Sequence, residues 1–146
     1  MRPSTLQTIA GGFVATVAIT AVMYWVAPLL IGMPMDIART LGDFLGIGWG
    51  GGMVVHFING SIIFPLIYAF VLYGMLPGGP VTKGIVWGVV LWAIAQSIVM
   101  PMVGGGFFSA NAGGAMAAIG SLLGHLIYGA TLGAIAGGEQ AVTAAT

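Results

Sequence analysis

Two side chains in this 146-residue sequence combine acid–base and metal-ligating capacity with a place inside a long apolar stretch: His56 and His125. An ionisable group in such a stretch is costly and faces the interior of a helix bundle by default. Each histidine has small residues one helical turn away on either side, Gly52 and Gly60 around His56, Ser121 and Gly129 around His125. Small neighbours at that spacing leave a flat gap beside an imidazole, which suits a planar macrocycle. Two neutral imidazoles converging from two helices would supply both axial ligands of a b-type haem, and a bacteriochlorin would need only one. The competing reading is structural: each ring hydrogen-bonds across helices to Asn59, Gln96 or a tyrosine hydroxyl, and the glycines serve packing. The residues leave both readings open.

The helices that carry the histidines are related in sequence. With a shift of 67 residues, Gly11-Gly12, Val14, Trp25, Ile31, and Met33-Pro34-Met35 fall on Gly78-Gly79, Val81, Trp92, Ile98, and Met100-Pro101-Met102. With a shift of 69, Gly51, His56, Ile58 and Gly60 fall on Gly120, His125, Ile127 and Gly129. The chain reads as a duplicated unit, repeat 1 at about 8–75 and repeat 2 at about 78–137, within one transmembrane domain covering 1–146. Duplication puts the histidines at equivalent positions. Hydropathy sets His56 about seven residues into its span and His125 about thirteen, a depth offset of about 9 Å at 1.5 Å per residue that the repeat does not predict.

Composition decides the class. Hydrophobic residues make up 59% of the chain and charged residues 4%, against about 25% charged in soluble domains, and mean hydropathy is +1.10. Four segments are long enough to span a bilayer, at about 8–30, 49–75, 83–103 and 112–137, and lipid admits only helices for them. The first is too long for the apolar core of a signal peptide and reads as a true span. Each repeat contains an even number of spans, so both copies insert the same way, as parallel repeats about an axis along the membrane normal. The expected fold is all-α, an integral membrane four-helix bundle built from two parallel helix-hairpin repeats. Arg2 and Lys83 on one side against Arg39 on the other place both termini in the cytoplasm by the positive-inside rule. Zero net charge and the lack of a basic patch argue against nucleic acid as a partner.

The connectors differ. Asp36–Leu45 has apolar residues at 37, 38, 41, 44 and 45 and charges at 36, 39 and 43, the pattern of a short helix lying in the interface. Residues 104–111, with three glycines and two phenylalanines, read as a flexible uncharged loop. Met33, Met35, Met100 and Met102 flank Pro34 and Pro101, and their soft thioethers suit Cu(I); the plainer account is that the prolines end or kink the spans while methionine fills gaps. Enzyme arrangements are missing from the sequence. There is no cysteine, no buried carboxylate pair, no Ser-His-Asp set, since Asp36, Asp43 and Glu139 are interfacial or terminal, and no phosphate-binding loop ending in Lys-Ser/Thr.

At Trp49, His56 and Gly60, at Leu76-Pro77-Gly78 and Lys83-Gly84, at Met100–Phe107, and at His125–Gly129 with Leu132-Gly133, the chain resembles a family of small four-span bacterial membrane proteins of unknown function. The resemblance implies topology and a bacterial inner-membrane location, with one histidine in span two and one in span four. The expected function is a non-catalytic accessory subunit of a larger respiratory or photosynthetic membrane complex, holding haem b between His56 and His125. The alternatives are a purely structural subunit without cofactor and a small copper-handling or transport protein. Partners are then the lipid bilayer together with a larger membrane complex or further copies of the chain.

Overall fold

The computed structural model describes residues 3–33 and 35–137; Arg2, Pro34 and Glu139 lie outside the described residues. Five helices follow in order. Four are long and apolar enough to cross a membrane: α1 (Thr5–Ile31), α3 (Gly48–Leu72), α4 (Pro80–Met102) and α5 (Gly114–Ala136). Between the first two lies α2 (Ile37–Leu45). The fold is an all-α, four-span bundle, as the hydropathy pattern requires. The helix ends follow local chemistry. Ser4 caps α1 by accepting from the Gln7 N–H, and Gly32 ends it in the left-handed conformation (φ 75°). Asp36 caps α2 by accepting from the Arg39 N–H, and Gly46 stops it (φ 69°). Pro80 opens α4 in the first turn, where a missing N–H costs nothing. The 104–111 connector is more ordered than its composition implies: Phe107–Ser109 forms a single 3₁₀ turn, and the Ser109 hydroxyl donates to Gln96 Oε1 (2.7 Å).

Glycine sets the packing. A Cβ on Gly84 would collide with the Gly129 carbonyl and one on Gly129 with the Gly84 carbonyl, while Gly88 abuts the His125 carbonyl and Gly133 that of Pro80. The backbones of α4 and α5 therefore interlock along most of their length. On the other side of α5, Gly124 receives Ile19 of α1 and Gly11 receives Ile135. Helix α1 packs in turn on α3, with Gly12 against Pro65 and Gly60 against Thr16; α2 lies on α3 where Gly52 meets the Ala38 carbonyl and Gly42 that of Gly48. Interlock of this kind is how helices associate in lipid, which offers no hydrophobic drive between spans. No interlock of that extent joins α3 to α4. These two meet at their far end from α2, where Tyr68 Oη donates to the Pro80 carbonyl (3.2 Å) and Lys83 Nζ to the Tyr73 carbonyl (2.6 Å), with the ammonium 4.3 Å from the Tyr73 ring centre. The two halves of the chain thus do not pack alike.

Three prolines inside spans distort the helices in one consistent way. Each follows a widened turn closed by an i→i+5 bond: the Ala27 N–H donates to Val22 O ahead of Pro28, Phe64 to Asn59 ahead of Pro65, and Met100 to Ala95 ahead of Pro101. Widening moves the preceding carbonyl away from the proline ring. The carbonyl five residues before the proline, at Met23, Gly60 or Gln96, then loses its helical donor, because the wider register would draw that donor from the proline itself. In lipid such a group needs another partner. Met23 O accepts from the Met35 N–H (3.2 Å), which folds the first connector back onto α1. Gly60 O accepts from the Tyr128 hydroxyl (2.7 Å), which ties α5 to α3.

The start of α2 is fixed by a side-chain network. The Asp36 carboxylate accepts from the Tyr24 hydroxyl of α1, from the Trp49 indole N–H of α3 (3.1 Å to Oδ1) and from the Arg39 N–H (2.9 Å), with Arg39 Nε 3.9 Å from Oδ2. Burial pushes the Asp36 carboxyl up. The bonds from Tyr24, the Arg39 backbone and Trp49 outweigh it and hold the group below its ordinary value of 3.8.

Two measurements test these contacts. Tyr128→Phe strands the Gly60 carbonyl and should cost about 1–3 kcal/mol in reversible unfolding from detergent. In a Pro65→Ala background, where residue 65 regains an N–H, the same change should cost distinctly less; equal costs in both backgrounds would reject the proline account. For Asp36, a pKa depressed on folding stabilises the protein fully above the unfolded value, and that contribution is lost as pH falls through it toward the folded one. The melting temperature should therefore drop on acidification below about pH 4. The drop should be smaller in Asp36→Asn, and an equal drop in the two proteins would show that the network does not couple to folding.

Candidate functional site

The two histidines lie on α3 and α5, and both are partly buried. His56 lies eight residues beyond the start of α3 and His125 eleven beyond the start of α5. This reduces the depth offset from the hydropathy value to about 4.5 Å. Tyr128, one turn after His125, bonds the carbonyl of Gly60, one turn after His56, so the two helices are pinned beside the histidines.

Hydrogen bonds fix the ring tautomers. Thr20 Oγ1 lies 2.6 Å from the Thr16 carbonyl, which takes its single proton, and 2.9 Å from His56 Nε2. Thr20 is then the acceptor toward the ring, and neutral His56 carries its proton on Nε2. His125 Nδ1 lies 2.8 Å from the Ser121 carbonyl and donates to it, with Ser121 Oγ at 3.4 Å. The bare nitrogens are therefore His56 Nδ1 and His125 Nε2. Phe57 sets its ring edge-on to His56 at 5.7 Å. The partners expected for these rings, Asn59, Gln96 and tyrosine, are not the ones they use. Gln96 is buried with Ser109, and Tyr128 serves the Gly60 carbonyl.

The small residues around the histidines do not open onto a gap. Gly52 is covered by Ala38 and Gly42 of α2, Gly60 by Thr16 of α1, and Gly129 by Gly84 of α4. Ser121 is buried and bonded to His125. The room beside Gly52, Gly60 and Gly129 is taken by neighbouring helices, and His56 Nε2 is already engaged. A macrocycle ligated by both rings at once would need these helices to move apart. The methionines do not form a set either. Met35 lies over Gly120, Met33 at the edge of Gly113, Met100 folds onto Gly105, and Met102 is exposed. Met100-Pro101-Met102 forms the last turn of α4, whereas Met33 and Met35 lie beyond the end of α1. Among the described residues no three His, Asp or Glu side chains come together.

Sequence reasoning missed Thr16, Thr20 and Trp87. Thr16 and Thr20 stand one turn apart on α1 and form the acceptor side of the His56 bond; hydropathy averaging conceals such residues in an apolar span. Trp87 of α4 and Ser61 of α3 are buried, and Trp87 Nε1 and Ser61 Oγ have no hydrogen-bond partner among the described residues. Buried unpaired donors are expensive. Ser61→Ala removes the hydroxyl and little else, so it should leave stability unchanged or raise it by up to about 3 kcal/mol. A loss above about 1 kcal/mol in the same unfolding assay would show that the group has a partner.

Comparison with known proteins places the chain at the level of family. Neither the curated proteins nor the solved structures contain a match. A family model described as a family of unknown function (DUF6789) matches residues 3–143, nearly the whole chain, and the protein belongs to that family.

Proposed function

We propose that this protein is a non-catalytic accessory subunit of a larger membrane complex, and that its two histidines hold the bundle together without a cofactor. The observation that carries this reading is the filling of the histidine neighbourhood: Gly52, Gly60 and Gly129 each receive a neighbouring helix, and His56 Nε2 bonds Thr20. The polar groups of the spans act mainly within the bundle, as interhelical bonds and backbone caps. The outer surface supports the subunit role. Only 22% of the apolar window of α4 and 28% of that of α3 is buried, against 44% for α5, so α3 and α4 leave most of their apolar residues to lipid or to a neighbouring span.

One observation favours haem as a second reading. The Nδ1–H of His125 is fixed on the Ser121 carbonyl with Nε2 free, the arrangement that orients a ligating imidazole. Protein purified from cells supplied with haem precursor separates the two. The expected result is no Soret or α band in the reduced-minus-oxidised spectrum, with His125→Leu and His56→Leu reducing only thermal stability. A Soret band lost in His125→Leu would replace the structural reading by the haem one. Native gels of mildly solubilised membranes test the subunit role: the chain should migrate in an assembly with larger proteins, and a pure homo-oligomer would overturn it.

A further inference from the structure

Helix α2 carries Asp36, Arg39, Thr40 and Asp43 at positions i, i+3, i+4 and i+7, which places them on one stripe. They line an open cleft of about 560 Å³ completed by Phe44 and by Val103 at the end of α4. The opposite face of α2 is occupied: Ala38 and Gly42 are buried against α3. The cleft has a fixed wall and two freer arms. Asp36 is held by Tyr24 and Trp49. Arg39 is 66% exposed, and its only ion-pair contact among the described residues, to Asp36, is a long 3.9 Å. Its guanidinium therefore keeps donors to give. Asp43 is exposed and has no ion pair among the described residues.

The depth of the cleft is marked by exposed aromatic residues on the same side of the bundle: Trp25 at the end of α1, Trp49 at the start of α3, Phe44 on α2 and Phe107 in the last connector. Aromatic side chains gather at headgroup level. A cleft at that level, holding two carboxylates and one guanidinium beside a phenylalanine, calls for a ligand with an anion, a nearby cation bearing N–H donors, and an apolar tail.

We propose that this cleft binds the headgroup of a phospholipid with a primary ammonium, the phosphate on Arg39, the ammonium on Asp43, and the glycerol end along Phe44 and Val103. A guanidinium is well matched to phosphate oxygens. A carboxylate distinguishes a primary ammonium from a quaternary one, because only the former donates hydrogen bonds. A purely anionic headgroup meets two carboxylates and is disfavoured.

The test is native mass spectrometry of the full chain in detergent, titrated with short-chain phosphatidylethanolamine, phosphatidylcholine or phosphatidylglycerol, and with soluble phosphoethanolamine as competitor. The expected result is one tightly held phosphatidylethanolamine, preferred about fivefold over the other two lipids, the scale of one exposed ion pair. Asp43→Asn should erase the preference over phosphatidylcholine, and Arg39→Gln should weaken both zwitterionic lipids about equally. Both positions are on the surface, and an unchanged melting temperature certifies each variant. Equal binding of the three lipids, or variants that bind as the parent does, would overturn the proposal. Competition by phosphoethanolamine at concentrations equal to the lipid would overturn it in favour of a soluble ligand.

Discussion

A carbonyl that loses its helical donor inside a bilayer has no water to turn to, and much of this structure follows from where such carbonyls find partners. Pro28 and Pro65 each force a wider turn and each orphan one oxygen. The oxygen on α1 takes the Met35 N–H, which bends the first connector back across the end of that helix. The same bend brings Asp36 to Tyr24 and Trp49 and so starts α2 against α3. The oxygen on α3 takes the Tyr128 hydroxyl, the one hydrogen bond found directly between α3 and α5 among the described residues. One rule of backbone chemistry thus positions both the interfacial helix and the histidine-bearing pair.

Glycine acts on the same scale from the opposite direction. Where a proline makes a backbone group available, a glycine lets a backbone approach. The reciprocal contacts of Gly84 with Gly129 seat the α4 backbone directly on α5, and Gly88 reaches the carbonyl of His125 itself. The histidine on α5 is therefore built into the tightest interface of the bundle. Any reading of the flanking glycines as open space conflicts with their use as contact surface, since one small residue cannot serve both.

Much of this was legible in the sequence. The four spans emerge from hydropathy within a few residues of their ends, because length and apolarity are summed over some twenty positions. Helix α2 emerges from the placing of Asp36, Arg39 and Asp43 among apolar residues. The use of glycine for close packing also follows from spacing. Hidden from the sequence were the facts that depend on which helix faces which. Gly52 and Gly60 have the same spacing around His56 whether a macrocycle or Ala38 and Thr16 lie against them. Thr20 disappears into the average of an apolar span. The consequence of Pro65 is equally non-local, since the oxygen it orphans is satisfied from a residue 68 positions away.

The self-similarity of the sequence carries a further lesson about the histidines. Matching residues need not meet matching neighbours. Helix α1 presents Gly11 to the α5 backbone and Ala15 is wholly buried beside it, so those two spans approach closely. The counterpart pair, α3 and α4, meets at one end, through the bonds of Tyr68 to the Pro80 carbonyl and of Lys83 to the Tyr73 carbonyl. His56 then finds a threonine on another helix, whereas His125 closes onto its own helix at Ser121. The first ring stitches α3 to α1 and uses its Nε2 to do so. The second makes no hydrogen bond to another helix among the described residues, and its Nε2 has no partner there. Two residues that a duplication sets at equivalent positions are in this way given different tasks by the helices packed around them.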